Sequence, residues 1–274
     1  MTPVIIPFYK NYAQLSKCLS HLRLQSAPVE IFVRDNSQDN ILFTAAVNEG
    51  IMRFLNADGD YLVILNQDMY LNADAIEKMV DFMNGNPRCG IGAPLQIHPL
   101  DKDYVIWGGG FDAFPAGRHQ HGHIRHFGKS AQIFWANGAC MILRKRMIRE
   151  IGLLDKNLRF IGSDSDYSFT ARARGWEIWR IADASGVHEH GSSGVSSNPE
   201  VELIKIRDML YFASKWLTGG LYNAMAFEGP RISADTIEKI ITALQAAEIR
   251  ISARTPEHFN GFDADSSFIA RATG

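Results

Sequence analysis

Short uninterrupted apolar runs alternate with helical periodicities over the first hundred residues. VIIPF (4–8), VEIFV (29–33), YLVIL (61–65) and GIGAPLQI (90–97) read as strands buried on both faces. Between the first two, Leu15, Leu19 and Leu22 recur at helical spacing. A second helix is predicted over 41–55, with Ala46, Val47, Met52 and Phe54 near one face. A third lies in NADAIEKMVDFMNGNP (72–87), its end marked by Gly85 and Pro87. Buried strands that alternate with helices imply parallel pairing through right-handed crossovers. The expected class is therefore α/β: a doubly wound, mostly parallel sheet with helices on both faces.

Beyond residue 100 the pattern changes. Residues 104–128 are rich in Gly, His and aromatics and read as a hairpin or flap. AQIFWANGACMILRKRMIREIG (131–152) reads as a strand running into a short helix, and WEIWRIA (176–182) as a further strand. Helices are predicted over 200–217 and 233–249, followed by a polar tail. A composition shift near 197 divides the chain into a 1–197 domain, with halves 1–100 and 101–197, and a helical extension over 198–274.

Composition removes several function classes. The formal net charge of −2 argues against nucleic-acid binding driven by bulk positive charge. No apolar run approaches the roughly 20 residues of a membrane helix, and MTPVIIPFY has no basic leader ahead of its apolar stretch. Cys18, Cys89 and Cys140 are widely spaced, odd in number and form no CxxC, so they read as reduced thiols in a cytoplasmic protein.

Open parallel sheets bind ligands outside the carboxyl ends of their strands. Here those ends carry Pro7, Phe8 and Tyr9, then RDNSQDN beginning at Arg34 and Asp35, then Asn66, Gln67 and Asp68. Neither GxGxxG nor GxxxxGK[ST] occurs, so a dinucleotide fold and a P-loop are both unsupported. A carboxylate on a turn beside an amide suits Mg2+ or Mn2+ completed by phosphate oxygens. The same residues also cap ordinary turns. A second acidic site lies in RFIGSDSDYSFTARARGW (159–176), where Asp164 and Asp166 precede a helix. Both acids suit the helix dipole, and they do not share a helical face.

Taken in order, PFYKN, VRDNSQD, LNQDMYL, WANGACMILRKR, IGLLDKNLRFIGSDSDYSFTARARGW and GVHEHGSSG resemble glycosyltransferase family 2, including its rhamnosyltransferase-like members. The resemblance covers about residues 3 to 217 and implies an inverting enzyme with the GT-A fold. It makes residues 1–100 the nucleotide half and 101–197 the acceptor half. Pro7, Tyr9 and Asn11 fall on the wall of the nucleotide pocket, with Phe8 beside them and Lys10 interposed. Asp35 falls where the nucleobase is hydrogen-bonded. The Asp-x-Asp motif falls on Asn66, Gln67 and Asp68; Asp68 keeps the metal position and Asn66 departs from the aspartate. Gly138 and Ala139 precede the acceptor helix. The Glu-Asp-x-Asp motif falls on Ser163 to Asp166, which makes Asp164 the base and leaves Ser163 where an acid is usual. His188 falls on a further metal ligand found in some members.

The resemblance implies Mn2+ or Mg2+ as cofactor and a nucleoside diphosphate sugar donor, UDP or dTDP. A hydroxyl of a glycan, lipid-linked or protein acceptor completes the reaction, in glycan or polysaccharide biosynthesis. Trp135 is a candidate to stack on a sugar, with Gly138 and Asp166 on the acceptor side; Trp135 reads equally as a core residue. WGGG (107–110) admits close backbone approach or a turn with positive φ. His119, His121 and His123 share one face if extended, as a zinc site or a plain hairpin surface. EVELIKIRDMLYFASKWL, with Lys205, Arg207 and Lys215, reads either as a peripheral membrane contact or as a helix packed back on the sheet. Two other readings stay open: a nucleotidyltransferase, for which the start offers only Lys10 as a basic group, and an inactive sugar-nucleotide or glycan-binding module.

Overall fold

The computed structural model of the protein describes residues 1–111, 119–189, 199–217 and 234–254. In chain order the elements are β1 (Thr2–Phe8), α1 (Tyr12–Arg23), β2 (Val29–Asp35), α2 (Leu42–Phe54), β3 (Tyr61–Leu65), β4 (Met69–Leu71) and α3 (Ala75–Gly85). Then come β5 (Cys89–His98), β6 (Asp101–Trp107), β7 (Gly122–His123), β8 (Ala131–Gln132), β9 (Cys140–Arg144), α4 (Lys145–Ile151), α5 (Ser163–Ala173) and β10 (Glu177–His188). α6 (Pro199–Phe212) continues as a π-helical turn over Ala213–Leu217, and α7 spans Ala234–Ser252.

One sheet runs β2-β1-β3-β9-β5-β10-β4, with β6, β7 and β8 attached at its margin. β2, β1 and β3 pair in parallel, as do β5 and β10. β9 lies antiparallel between β3 and β5. β1, β2, β3, β5 and β10 therefore all point the same way, with the reversed β9 inserted among them and β6 antiparallel to β5 at the margin. That insertion, and the short β4 antiparallel to β10, leave no mark in hydrophobic periodicity.

Side chains alternate across the sheet into two layers. Ile5, Leu62 and Ile64 face α2, α4, α5 and α6, while Val4, Ile6, Val63 and Leu65 face α1 and α3. On α2 the buried face is Ala46, Val47, Gly50, Ile51 and Phe54. Met52, expected on that face, is 57% exposed. Gly50 sets the contact, because a Cβ there would lie 2.4 Å from Ile5 Cγ2. Asn11 caps α1 by accepting from the Gln14 N–H. Arg144 binds the carbonyls of Met83 and Asn86 at the end of α3.

The α6 segment is part of the main core rather than an appendage, since Phe212, Ala213 and Trp216 join the same apolar cluster as α2, α4 and α5. Its cations are engaged within the protein: Lys215 pairs with Asp155 and Asp166, and Arg207 with Glu248. This is the packed alternative of the two readings of that helix. No helix among the described residues is long and apolar enough to cross a membrane. Cys18, Cys89 and Cys140 are buried and free, and burial pushes the Cys18 and Cys89 thiols up to about 12.

The Gly-rich segment has a packing role. A Cβ on Gly108 would lie 2.2 Å from Phe127, on Gly109 2.5 Å from Ile133, and on Gly110 2.0 Å from Trp135. Three bare residues thus let three apolar side chains lie directly on the backbone, and Gly109 alone of them needs positive φ.

Candidate active site

Strand register brings the loops together. Phe8 lies opposite Asp35, and Ile5 opposite Ile64, so β1, β2 and β3 end on a common rim. The Asn36 N–H donates to Phe8 O, and the Tyr9 N–H donates to Gln67 Oε1 at 2.7 Å. Because β9 runs antiparallel to β3, with Cys140 opposite Leu65, the 137–139 turn arrives at the same rim. His188, at the end of β10, lies opposite Met69.

Asp164 sits in the first turn of α5, which starts after Gly162 in the left-handed conformation (φ 74°). Its Oδ2 accepts from the Gly138 N–H and its Oδ1 from the Ser165 N–H, both at 2.8 Å. Burial raises the carboxyl above its ordinary range, and the two N–H donors offset part of that rise. The neighbouring residue on the same turn, Ala139, accepts the Asn66 N–H at 2.9 Å. One short turn is therefore bonded both to Asp164 and to the segment that carries Asp68.

Asp68 is buried, and its Oδ1 lies 3.5 Å from His188 Nε2. His188 Nδ1 makes a 2.7 Å hydrogen bond with Gln96 Oε1. A carboxylate oxygen facing an imidazole nitrogen is a donor pair that could hold a divalent cation. No cluster of three or more His, Cys, Asp or Glu suited to a metal occurs among the described residues. Such an ion would have few protein ligands and would take its remaining ones from phosphate or water.

Other predicted residues lie along the same rim. Asp35 is exposed, and its Oδ1 accepts the Ser37 N–H at 2.8 Å. The Ser37 side chain first, and then this N–H, hold its carboxyl below the ordinary range. Pro7 is half-buried and Tyr9 is 38% exposed, while Asn66 is half-buried at the turn.

Four predicted site residues turn out to be committed elsewhere. Phe8 is fully buried, edge-on to Tyr12, so its side chain is core and its backbone forms the rim. Gln67 accepts from the Tyr9 N–H and donates to Tyr9 O, which locks the β1 loop to the β3 loop. Trp135 is 5% exposed, against Trp107 and over Gly110, so it is a core tryptophan and offers no stacking face. Asp166 points away from Asp164 into the core, where Oδ1 accepts from Lys215 Nζ and Trp216 Nε1, each at 2.7 Å. Spacing on a helix predicts that divergence; the partners come from a segment fifty residues further on.

Sequence reasoning missed Gln96, Asn137 and Asp208. Gln96 is 1% exposed in a strand whose other residues up to Ile97 are apolar, and a lone amide in such a run is the signal that was there to find. Asp208 accepts from three consecutive backbone N–H groups, those of Arg159, Phe160 and Ile161, just ahead of α5. The Gly-x-Ser turn after His188 lies outside the described residues. His121 bonds the Tyr104 hydroxyl at 2.8 Å and rings against His119 at 6.0 Å, on the exposed hairpin.

The arrangement of strands and rim is that of the GT-A glycosyltransferase fold. Among solved structures, S. aureus TarS is similar with a TM-score of 0.55 and 13% identity, over 91% of this chain and 44% of that one. GalNAc-T7, solved with UDP, GalNAc and Mn2+, gives 0.55 and 13%, over 90% and 55%. The mannosyltransferase PcManGT from Pyrobaculum calidifontis, in complex with GDP-Man and Mn2+, gives 0.52 and 15%, over 92% and 73%. The chain thus spans about half the length of TarS and GalNAc-T7. No protein-family profile matches the chain, and no curated protein sequence is similar to it.

Proposed function

We propose that this protein is an inverting glycosyltransferase that moves a sugar from a nucleoside diphosphate, UDP or dTDP, to a hydroxyl acceptor. The observation that carries the reading is the position of Asp164. Its carboxylate is half-buried, raised in pKa by desolvation and bonded to a turn that also anchors the Asp68 segment. Solved proteins of this fold hold UDP, GDP-Man and Mn2+, which supports a nucleotide-sugar donor and a divalent ion.

In this reaction the acceptor hydroxyl gives its proton to Asp164 as its oxygen attacks the anomeric carbon. The bond to the diphosphate breaks on the opposite face, and the diphosphate leaves with the electron pair. A carboxylate raised above its usual range is a better base at neutral pH, and general bases contribute about 10² to 10⁴ in rate. Each Asp164 oxygen holds one backbone N–H and has a second lone pair for the hydroxyl. Asp68 and His188 would hold Mn2+ or Mg2+, which when bound stabilises charge on the departing diphosphate. Asp35 and the backbone of Pro7 to Tyr9 would line the nucleotide, with residues 1–100 as the nucleotide half and 101–197 as the acceptor half. A cytoplasmic setting accords with three buried free thiols, and glycan or polysaccharide synthesis with the class of acceptor.

The test is calorimetric titration of UDP, dTDP and their triphosphates, with and without Mn2+. Metal-enhanced diphosphate binding is expected. Binding of triphosphates alone would replace this reading with a nucleotidyltransferase. Enhanced binding with no transfer or slow hydrolysis across a panel of nucleotide sugars would leave an inactive binding module.

A further inference from the structure

The hydrogen bonds around His188 fix where its proton sits, and they begin at a backbone group whose role is unambiguous. The Ala139 N–H can only donate, and it reaches Asn137 Oδ1 at 2.9 Å. That oxygen is then the acceptor for Gln96 Nε2 at 3.1 Å. With its NH2 committed to Asn137, Gln96 must turn its carbonyl oxygen toward His188 Nδ1, 2.7 Å away. Nδ1 is therefore a donor, and in the neutral ring Nε2 keeps its lone pair on the side of Asp68 Oδ1. Gln96 and His188 are both nearly inaccessible, so solvent does not compete for these bonds.

We propose that Gln96 and Asn137 are positioning residues: they hold His188 in the Nδ1–H tautomer and couple it to the turn whose Gly138 N–H binds Asp164. This rests on the reading of Asp68 and His188 as ligands of the divalent ion. The chain of contacts runs His188, Gln96, Asn137, Gly138, Asp164, and so joins the ion's site to the base through one network, buried at His188 and Gln96 and half-buried at Asn137 and Asp164. Partners of this kind orient a ligating imidazole and make it more basic; losing one typically costs 10- to 100-fold in metal affinity.

Two measurements test it, one without metal. In protein carrying 15N-histidine, with His188→Gln to assign the signal, long-range proton–nitrogen spectra show which ring nitrogen bears the proton. The wild type is expected to show Nδ1–H at His188. Gln96→Leu should lose that preference, Asn137→Ala should weaken it by letting the Gln96 amide turn over, and Gln96→Glu should keep it. The second measurement is the Mn2+-dependent gain in UDP affinity, expected to fall about 10- to 100-fold in Gln96→Leu, with metal-free UDP affinity unchanged. Retained Nδ1–H together with a wild-type Mn2+ gain in Gln96→Leu would overturn the proposal. Should that variant not fold, loss of Nδ1–H in Gln96→Glu overturns it instead. An Mn2+ gain that survives in Asp68→Ala speaks against the metal site itself, and the metal-free spectra then still decide the tautomer.

Discussion

The Gly138 N–H donates to Asp164 Oδ2 at 2.8 Å across twenty-six residues of chain, and this bond joins the loop ahead of β9 to the first turn of α5. Asparagine at 164 can still accept that N–H, with its NH2 turned toward the Ser165 N–H at the cost of that one bond, but it cannot take a proton from an alcohol. Asp164→Asn should therefore keep UDP affinity and fold while transfer falls at least about 10², the lower end for a general base. Single-turnover transfer with a nucleotide sugar checks it; a normal rate would remove Asp164 from the reaction.

The same bond makes position 138 sensitive to size. A Cβ there would lie 3.1 Å from Phe43 Cζ and 3.3 Å from Asp164 Oδ2, so either the ring or the carboxylate must yield. Gly138→Ala is expected to reduce kcat about tenfold, equivalent to about 1.4 kcal/mol in the barrier. Phe43→Leu in the same background should restore part of the loss by freeing space. No recovery would locate the strain on the carboxylate.

Because burial raises Asp164 above its ordinary value of 3.8, the ionised base is lost as pH falls through a higher pH than a free aspartate would show. The acid limb of kcat/KM should lie above that value and disappear in Asp164→Asn, whose residual rate should be flat there. A limb that persists unchanged in the variant belongs to another group.

Much of this fold was readable from four apolar runs, because strands covered on both faces must be apolar at every position. β9 was readable as a strand but not as a reversed one, since direction is decided by which neighbours it completes. Asp164 and Asp68 stood out because acids at the ends of elements are visible locally. Trp135 and Asp166 did not resolve, because their surroundings come from Gly110 and from Lys215 and Trp216, remote in sequence. Gln96 announces itself only as an amide where an aliphatic side chain would fit; its meaning depends on His188 and Asn137 arriving from two other segments.

The assignment of Trp135 to the core carries its own consequence. Gly110→Ala would force a Cβ to within 2.0 Å of the indole, and the indole has Trp107 beside it. Overpacking of this kind typically costs about 1–3 kcal/mol, so a lowered denaturation midpoint is expected with little change in KM for the donor. A large KM change at unaltered stability would return Trp135 to the substrate.

Asp208 gives the last prediction, through pH. Burial raises its carboxyl to about 6 despite the three N–H groups it accepts. In the unfolded chain it ionises near 3.8, so between these values the folded state binds the extra proton and stability falls as pH rises. Its contribution is present below 3.8 and lost by the time pH has passed about 6, a change of about 3 kcal/mol. Asp208→Asn removes that titration, so the stability gap between wild type and variant should shift by up to this amount between pH 4 and 7. Urea unfolding of both proteins at the two pH values measures it. The asparagine also presents an NH2 where an oxygen now accepts, so at least one N–H of 159–161 loses its partner. The loop ahead of Asp164 should then loosen, and amide exchange at residues 159–161 should quicken in the variant. A gap that does not vary with pH would mean that Asp208 ionises as freely in the fold as in the open chain.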